Sequence, residues 1–423
     1  MAIARHRALV ALLGAAACSE GAAPSGGPIT ELPRDLSVAE RAVITASNTF
    51  GLDLVRRMAA EDMRPNVVLS PISASMALGM TLNGTDSTTF DAMRSALGFD
   101  MLTQADINAT YRTLIDLLTG LDPEVRFEIA NAIWANESVP FHDTFFQAVA
   151  AAFDASAESR DFGDPATLDA INDWVRESTG GLIDSIVDSL APDLVMLLVN
   201  AIYLDAAWTV QFDPEDTYEA PFTRADDSSV LVDMMSLSQV TLPFASTSDY
   251  DAVELPYGGQ AFSMVVIVPT GGVTVRDFLE GLDSPAWDAL VAGLAVREVS
   301  QVSLPKFTLT YDAYLNDALV GMGMGVVFGP RADFTRMSPI GDDLCISFVR
   351  QKTFIEVDER GTRAAAVTGV GVGVTSAPPG FVADRPFVFA IRERLSGTLL
   401  FAGLVGDPTA EDPGPEPFTP DCT

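Results

Sequence analysis

The chain has 423 residues, 48% of them hydrophobic and 20% charged, a balance that excludes disorder for most of its length and allows a sizeable core. With 25 Lys and Arg against 58 Asp and Glu, the net charge is −33. That charge argues against nucleic acid and anionic membrane surfaces as partners, because neutralising phosphates needs clustered cations.

Residues 1–17 read as a secretory signal, with Arg5 and Arg7, an apolar run of about ten residues and an A-x-A pattern ending at Ala17. The run is too short to span a bilayer. Cys18 resembles the lipid-accepting cysteine of bacterial lipoproteins; the alternative is an ordinary cleaved signal in which Cys18 is incidental. Either way the protein is expected to be exported, as a cell-surface lipoprotein or a secreted protein. Residues 18–36 are polar and rich in Gly and Pro, as a flexible tether is. Neither a linker nor a fixed-period repeat interrupts the chain from residue 37 to 406, so one large domain over 37–408 is expected. An acidic, Pro-rich tail over 409–423 reads as unstructured. Cys345 and Cys422 are the cysteines of the exported body, and an oxidising compartment permits them to pair.

Apolar residues at three- and four-residue steps predict helices over 37–61, 70–84, 86–98 and 105–121. Ser70 followed by Pro71 is a good helix start. Strand-like runs follow at 125–135, 195–208, 263–269, 302–311, 345–359, 386–393 and 398–406, each rich in β-branched or aromatic residues. Helices first and strands later in one uninterrupted body imply α+β architecture with large mixed sheets.

Catalytic chemistry is poorly represented. His142 is the one histidine outside the signal and stands beside an apparent helix start. No G-x-S-x-G elbow accompanies it. Ser303 to Lys306 fits S-x-x-K, but the surrounding VSQVSLPKFTLTY alternates like a strand, and Pro305 opposes the helix that pattern needs. No cofactor or metal motif follows from the sequence, and no enzymatic activity is expected.

The stretch 361–380, GTRAAAVTGVGVGVTSAPPG, is nearly neutral. Every second residue from Thr362 gives Ala364, Ala366, Thr368, Val370, Val372 and Val374. The intervening ones are Arg363, Ala365, Val367, Gly369, Gly371 and Gly373, so one face is apolar and the other thin. The flanks are those of a loop: acidic residues before, two prolines after. A segment that lives as a loop and becomes a strand fits the pattern, as does a flexible Gly-rich connector.

FIEVDERGTRAAAVTGV resembles the hinge of the serpins, the large serine-protease inhibitor family, and FVADRPFVFAI resembles their signature. NVVLSPISASMALGMTLNG, LVNAIYLDAAWTVQFDPEDTYEAPF, SLPKFTLTYDAYLNDALVGMGM and FAGLVGDP agree in order, so the likeness covers residues 37 to 408. Given this likeness together with the signal segment and Cys18, the protein is expected to be a bacterial, exported member. The resemblance implies a fold of about eight to nine helices around three β-sheets, with an exposed reactive loop that can insert into the main sheet. It implies inhibition by suicide trapping: a serine protease cleaves the loop as substrate, and the loop enters the sheet before deacylation. About 13 residues at roughly 3.3 Å each carry the protease on the order of 40 Å. A non-inhibitory serpin used as a binding or chaperone module is the alternative.

By the same resemblance, Glu359, Gly361, Thr362, Ala364, Ala365 and Ala366 form the hinge; small residues here match inhibitory members. Arg363 departs from the usual Glu. Family spacing gives Thr375–Ser376 as the scissile bond, and a small β-branched residue at that position implies an elastase-like or subtilisin-like target. Ser70, Asn200 and Gln351 match the gate beneath the sheet, with Gln in place of the usual His, and Trp208 matches the aromatic at the top of the sheet. The helix matching the heparin-binding one holds Arg112 as its sole cation, so no glycosaminoglycan partner is expected. The protein is expected to be a monomer, with membrane attachment through a lipidated Cys18.

Overall fold

A computed structural model of the protein describes residues 27–191, 194–362 and 379–415. The signal segment, Cys18, Ala364, Ala365, Ala366, Thr375, Ser376 and Cys422 lie outside them.

Nine α-helices occur among the described residues: α1 (Val38–Glu61), α2 (Pro71–Leu82), α3 (Ser87–Ala96), α4 (Gln104–Thr119), α5 (Asp143–Phe153), α6 (Pro165–Ser178), α7 (Val275–Glu280), α8 (Ser284–Gly293) and α9 (Asn316–Leu319). The first eight strands are β1 (Asn66–Leu69), β2 (Val125–Asn136), β3 (Ser156–Arg160), β4 (Met196–Ala207), β5 (Tyr218–Thr223), β6 (Ser229–Ser246), β7 (Tyr250–Tyr257) and β8 (Phe262–Pro269). They are followed by β9 (Ala295–Pro305), β10 (Phe307–Tyr314), β11 (Arg350–Val357), β12 (Gly361–Thr362), β13 (Gly380–Val382), β14 (Phe387–Glu393) and β15 (Leu399–Val405).

These strands form three hydrogen-bonded sheets. The largest runs β1-β15-β14-β8-β7-β6-β9-β13, with β5 beside β6; the others run β12-β4-β2-β3 and β10-β11. Strands β8, β14 and β15 are buried along their whole length, which is why they read as unbroken apolar runs. In β4 and β11 burial alternates. Leu204 and Ala206 of β4 join the main core, while Leu197 and Val199 pack with Trp134, Ile171 and Val175 under α6.

The helix starts are dictated locally. Ser37 and Glu40 form a capping box on α1, and Thr103 and Asp106 form one on α4. Ser70 caps α2 with Pro71 in its first turn, as its sequence predicts. The α+β expectation holds, with three differences in detail. The run 302–311 is two strands in two sheets: Pro305 ends β9 opposite Met234, and the chain turns at Lys306 into β10. Of the run 345–359, only Arg350–Val357 is strand.

The third difference lies at the ends. Residues 27–36, the described part of the tether, lie against the body: the Ile29 N–H donates to Gly259 O at 2.7 Å, and Ile29 and Leu32 pack on the core. Arg34 reaches Glu40 through two hydrogen bonds of 2.6 and 2.8 Å. In the tail, the Asp412 carboxylate accepts from the Asp312 N–H at 2.7 Å, so the tail is docked as far as residue 412 where composition predicts no structure.

Candidate functional site: a slot between two strands and its hinge

Strand β4 pairs with β2 from Met196 to Ala206, but along its other edge, among the described residues, only Ala206 and Ala207 are paired, with Thr362 and Gly361 of β12. Strand β11 is paired with β10 along all eight residues. Among the described residues no ladder joins β4 to β11. Cavities run between them instead. The lowest is lined by Met196, Leu198 and Asn200 with Arg350 and Gln351; the next by Val199–Ile202 with Gln351–Phe354. The uppermost, between Ile202–Leu204 and Phe354–Glu356, reaches Thr362. Two strand edges facing each other over such a slot present backbone donors and acceptors to an incoming strand.

Hinge residues sit at the top of this slot. Gly361 has φ +152°, and a Cβ there would lie 2.1 Å from the Ala206 carbonyl oxygen, so a side chain is excluded by the approach of β4. Thr362 is buried, and its Oγ1 lies 2.8 Å from the Tyr257 hydroxyl. Tyr257 stacks on Trp208 with ring centroids 4.5 Å apart, and burial pushes the Tyr257 hydroxyl up from its ordinary pKa. Trp208 donates from Nε1 to Asp358 O at 3.0 Å and from its backbone to Arg360 O at 2.8 Å. The aromatic expected at the top of the sheet therefore grips the turn that leads into the hinge.

Glu359 is fixed three ways. Its carbonyl accepts from the Phe212 N–H at 3.0 Å; its carboxylate accepts from the Thr217 hydroxyl at 2.8 Å and faces Lys306 Nζ at 3.1 Å. Burial works to raise this carboxyl, but the Thr217 and Lys306 contacts outweigh it and hold the group below its ordinary value. Lys306 drew attention in the sequence only through S-x-x-K. In the structure Ser303 is buried in β9 and its hydroxyl accepts from Gln301, so the two residues do not form a catalytic pair. Nothing in the sequence marked Thr217 or Tyr257.

Two of the three gate residues meet. Gln351 Oε1 accepts from the Ser70 N–H at 3.0 Å, and its Nε2 donates to Ser70 O at 3.1 Å. The Ser70 hydroxyl donates to Leu400 O at 2.7 Å, tying α2 to β15. Asn200 turns elsewhere: Nδ2 donates to Asn131 Oδ1 at 2.6 Å, while its buried Oδ1 has no hydrogen-bond partner. The single Ser70–Asn200–Gln351 network expected from the sequence is thus replaced by a Ser70–Gln351 clamp and an Asn200–Asn131 bridge between β4 and β2. An asparagine inside the apolar run 125–135 is the signal that could have revealed Asn131.

His142 stands before α5 and makes no capping hydrogen bond through its side chain. Among the described residues no group of three His, Cys, Asp or Glu could hold a metal ion. Cys345 is disulfide-bonded, and the two other cysteines, Cys18 and Cys422, lie outside the described residues.

The family model described as "Serpin (serine protease inhibitor)" matches residues 45–408. Leukocyte elastase inhibitor of Sus scrofa is 35% identical over 381 residues, covering 86% of this chain and 99% of that protein. A serpin-like protein of Thermococcus kodakarensis is 32% identical over 377 residues, covering 87% and 86%. Among solved structures, the native state of the thermophilic serpin tengpin superposes with a TM-score of 0.79 at 31% identity, covering 90% of this chain and 97% of that one.

Proposed function

Because this chain belongs to the serpin family, which is described as one of serine protease inhibitors, we propose that it is an inhibitor that traps its target by loop cleavage at Thr375–Ser376 and insertion of the loop between β4 and β11. The observation that carries this reading is the slot between β4 and β11, which no ladder joins among the described residues, with Gly361 and Thr362 already paired to β4 at its top.

Extending the Thr362–Ala206 register down β4 gives an inserted strand whose side chains suit their surroundings. Ala364 would fall opposite Leu204, Ala366 opposite Ile202 and Thr368 opposite Asn200, all on the core side. Arg363 would fall on the α6 side opposite Asp205, so the departure from Glu replaces one cross-strand partner with a complementary charge. Backbone pairing alone roughly cancels the cost of ordering, since fixing a residue costs about 1–2 kcal/mol and a new hydrogen bond returns about 0.5–1.5. The drive comes from burying the apolar face and joining the two sheet halves.

The target is an elastase-like or subtilisin-like serine protease, in keeping with Thr375 and with the name of the porcine relative. The reading includes no heparin partner, in keeping with α4, whose one cation, Arg112, is paired with Asp154 at 2.7 Å and Asp116 at 2.9 Å. The protein is bacterial and exported, acts as a monomer and is anchored through Cys18 when that residue is acylated. Incubation with pancreatic elastase and with subtilisin tests the reading. An SDS-resistant covalent complex is expected; clean loop cleavage without an adduct across a broad protease panel refutes it.

A further inference from the structure

The outer edge of β10 is closed by the segment that follows β15. Strand β10 has β11 on one edge and no other strand among the described residues. In an antiparallel pair, alternate residues turn both backbone groups away from the partner. Asp312 is one of these: its N–H donates to Asp412 Oδ2 at 2.7 Å, and its carbonyl accepts from Arg64 Nη1 at 2.9 Å. Arg64 and Asp412 are themselves 2.6 Å apart, so a guanidinium and a carboxylate together occupy the backbone positions that a further strand would use.

The pair is built in. The Asp412 side chain is 6% exposed. Arg64 lies over the Tyr311 ring, 4.3 Å from its centroid, and Asp62 accepts from both Arg64 and the Tyr311 hydroxyl. Five residues upstream, Asp407 is anchored by Arg224 and its carbonyl accepts from Asn66. Between these anchors Thr409, Ala410 and Glu411 share a groove with Thr308 and Thr310, whose backbones face the same side as that of Asp312.

We propose that residues 407–412 are an edge guard, which keeps an extended segment of a second copy of this chain from adding to β10. An uncovered edge of eight residues is a ready template for strand addition, and side-chain plugs of this kind are one way to blunt it. The guard is independent of protease trapping, so the amount of covalent complex formed per molecule is expected to stay unchanged when it is removed.

The test uses the full chain carrying Asp412→Ala, with Glu411→Ala as a control that leaves the Asp312 contacts in place. Hydrogen exchange at the Asp312 amide is expected to be about tenfold faster in Asp412→Ala, as loss of one charge-assisted hydrogen bond implies. Self-association, followed by size-exclusion chromatography at an equal interval below each variant's melting temperature, is expected to speed up in Asp412→Ala and not in the control. Adding Thr310→Pro, which deletes another outward donor, is expected to slow it again. Unchanged exchange at Asp312, unchanged association, or association that Thr310→Pro leaves untouched would each overturn the proposal.

Discussion

The Thr362 hydroxyl meets the Tyr257 hydroxyl at 2.8 Å in the interior of the molecule, at the point where β12 joins β4. The hinge therefore enters the sheet with Thr362 facing the core. A small hydroxyl fits there because Tyr257 satisfies it. A guanidinium would have to be buried where the Tyr257 hydroxyl now meets a hydroxyl, at a cost of several kcal/mol.

Thr362→Arg is accordingly expected to turn inhibitor into substrate. At about 3 kcal/mol, trapping falls about a hundredfold relative to hydrolysis, while the loop is still cut. Densitometry of SDS-resistant complex against cleaved chain measures the ratio. Trapping at the native level would contradict the assignment of Thr362 to the core face.

The Ser70–Gln351 clamp gives a second prediction. Gln351→Ala leaves the buried N–H of Ser70 without its partner and the Ser70 carbonyl with the Ala74 N–H alone, a loss of about 1–3 kcal/mol and a melting temperature lower by on the order of 5 °C. Gln351→His behaves differently. Neutral imidazole can accept from the Ser70 N–H, but the protonated ring cannot, so its folded-state pKa is depressed. Stability is then present above about pH 6.5 and lost as pH falls through the folded value. A melting temperature of the Gln351→His variant that is flat over that range would show that the side chain does not accept from Ser70.

How much of this was legible beforehand depends on whether the information is local. Ser70 as a cap beside Pro71, the helices α1 to α4 and the buried strands β8, β14 and β15 follow from spacing and capping residues within a few positions. The partners that shape the slot do not. Lys306 and Glu359 are 53 positions apart in the chain, and Tyr257 meets Thr362 across 105, so only the folded sheet brings them together. Asn200 is the instructive miss: its position was read from the likeness, but its partner depends on Asn131, directly opposite it in the β2–β4 ladder. The break at Pro305 was readable in kind, since proline ends a ladder, but not the fact that the chain then changes sheets.

Glu359 supplies a pH dependence. Its carboxyl sits below its ordinary value in the folded chain, so the unfolded or released hinge binds more protons. The contribution of this contact is present above the ordinary carboxylate pKa of about 4.3 and lost as pH falls through the folded value. Release of the hinge, followed as conversion of intact chain to a heat-resistant form, is expected to accelerate on acidification over that window. Glu359→Gln removes the ion pair with Lys306 at every pH, so it converts faster at neutrality and loses this acid step. An acid step of undiminished size in Glu359→Gln assigns it to another carboxylate.

Loop register is tested from the protease side. If Thr375 is the residue whose carbonyl is attacked, its side chain enters the protease's primary pocket, and Thr375→Arg offers a guanidinium to proteases with an acidic pocket. A buried, hydrogen-bonded charge pair of this kind is worth at least about 2 kcal/mol, or about thirtyfold in association with trypsin. The variant is expected to form an SDS-resistant complex with trypsin and to lose rate with elastase, and the released fragment should begin at Ser376. Arg363 offers trypsin a second bond, but cutting there shortens the strand before it can insert and yields cleaved chain without a complex, so the fragment mass separates the two events. If Val374→Arg or Ser376→Arg redirects the inhibitor and Thr375→Arg does not, the scissile bond lies one residue away and the pocket argument for the target moves with it.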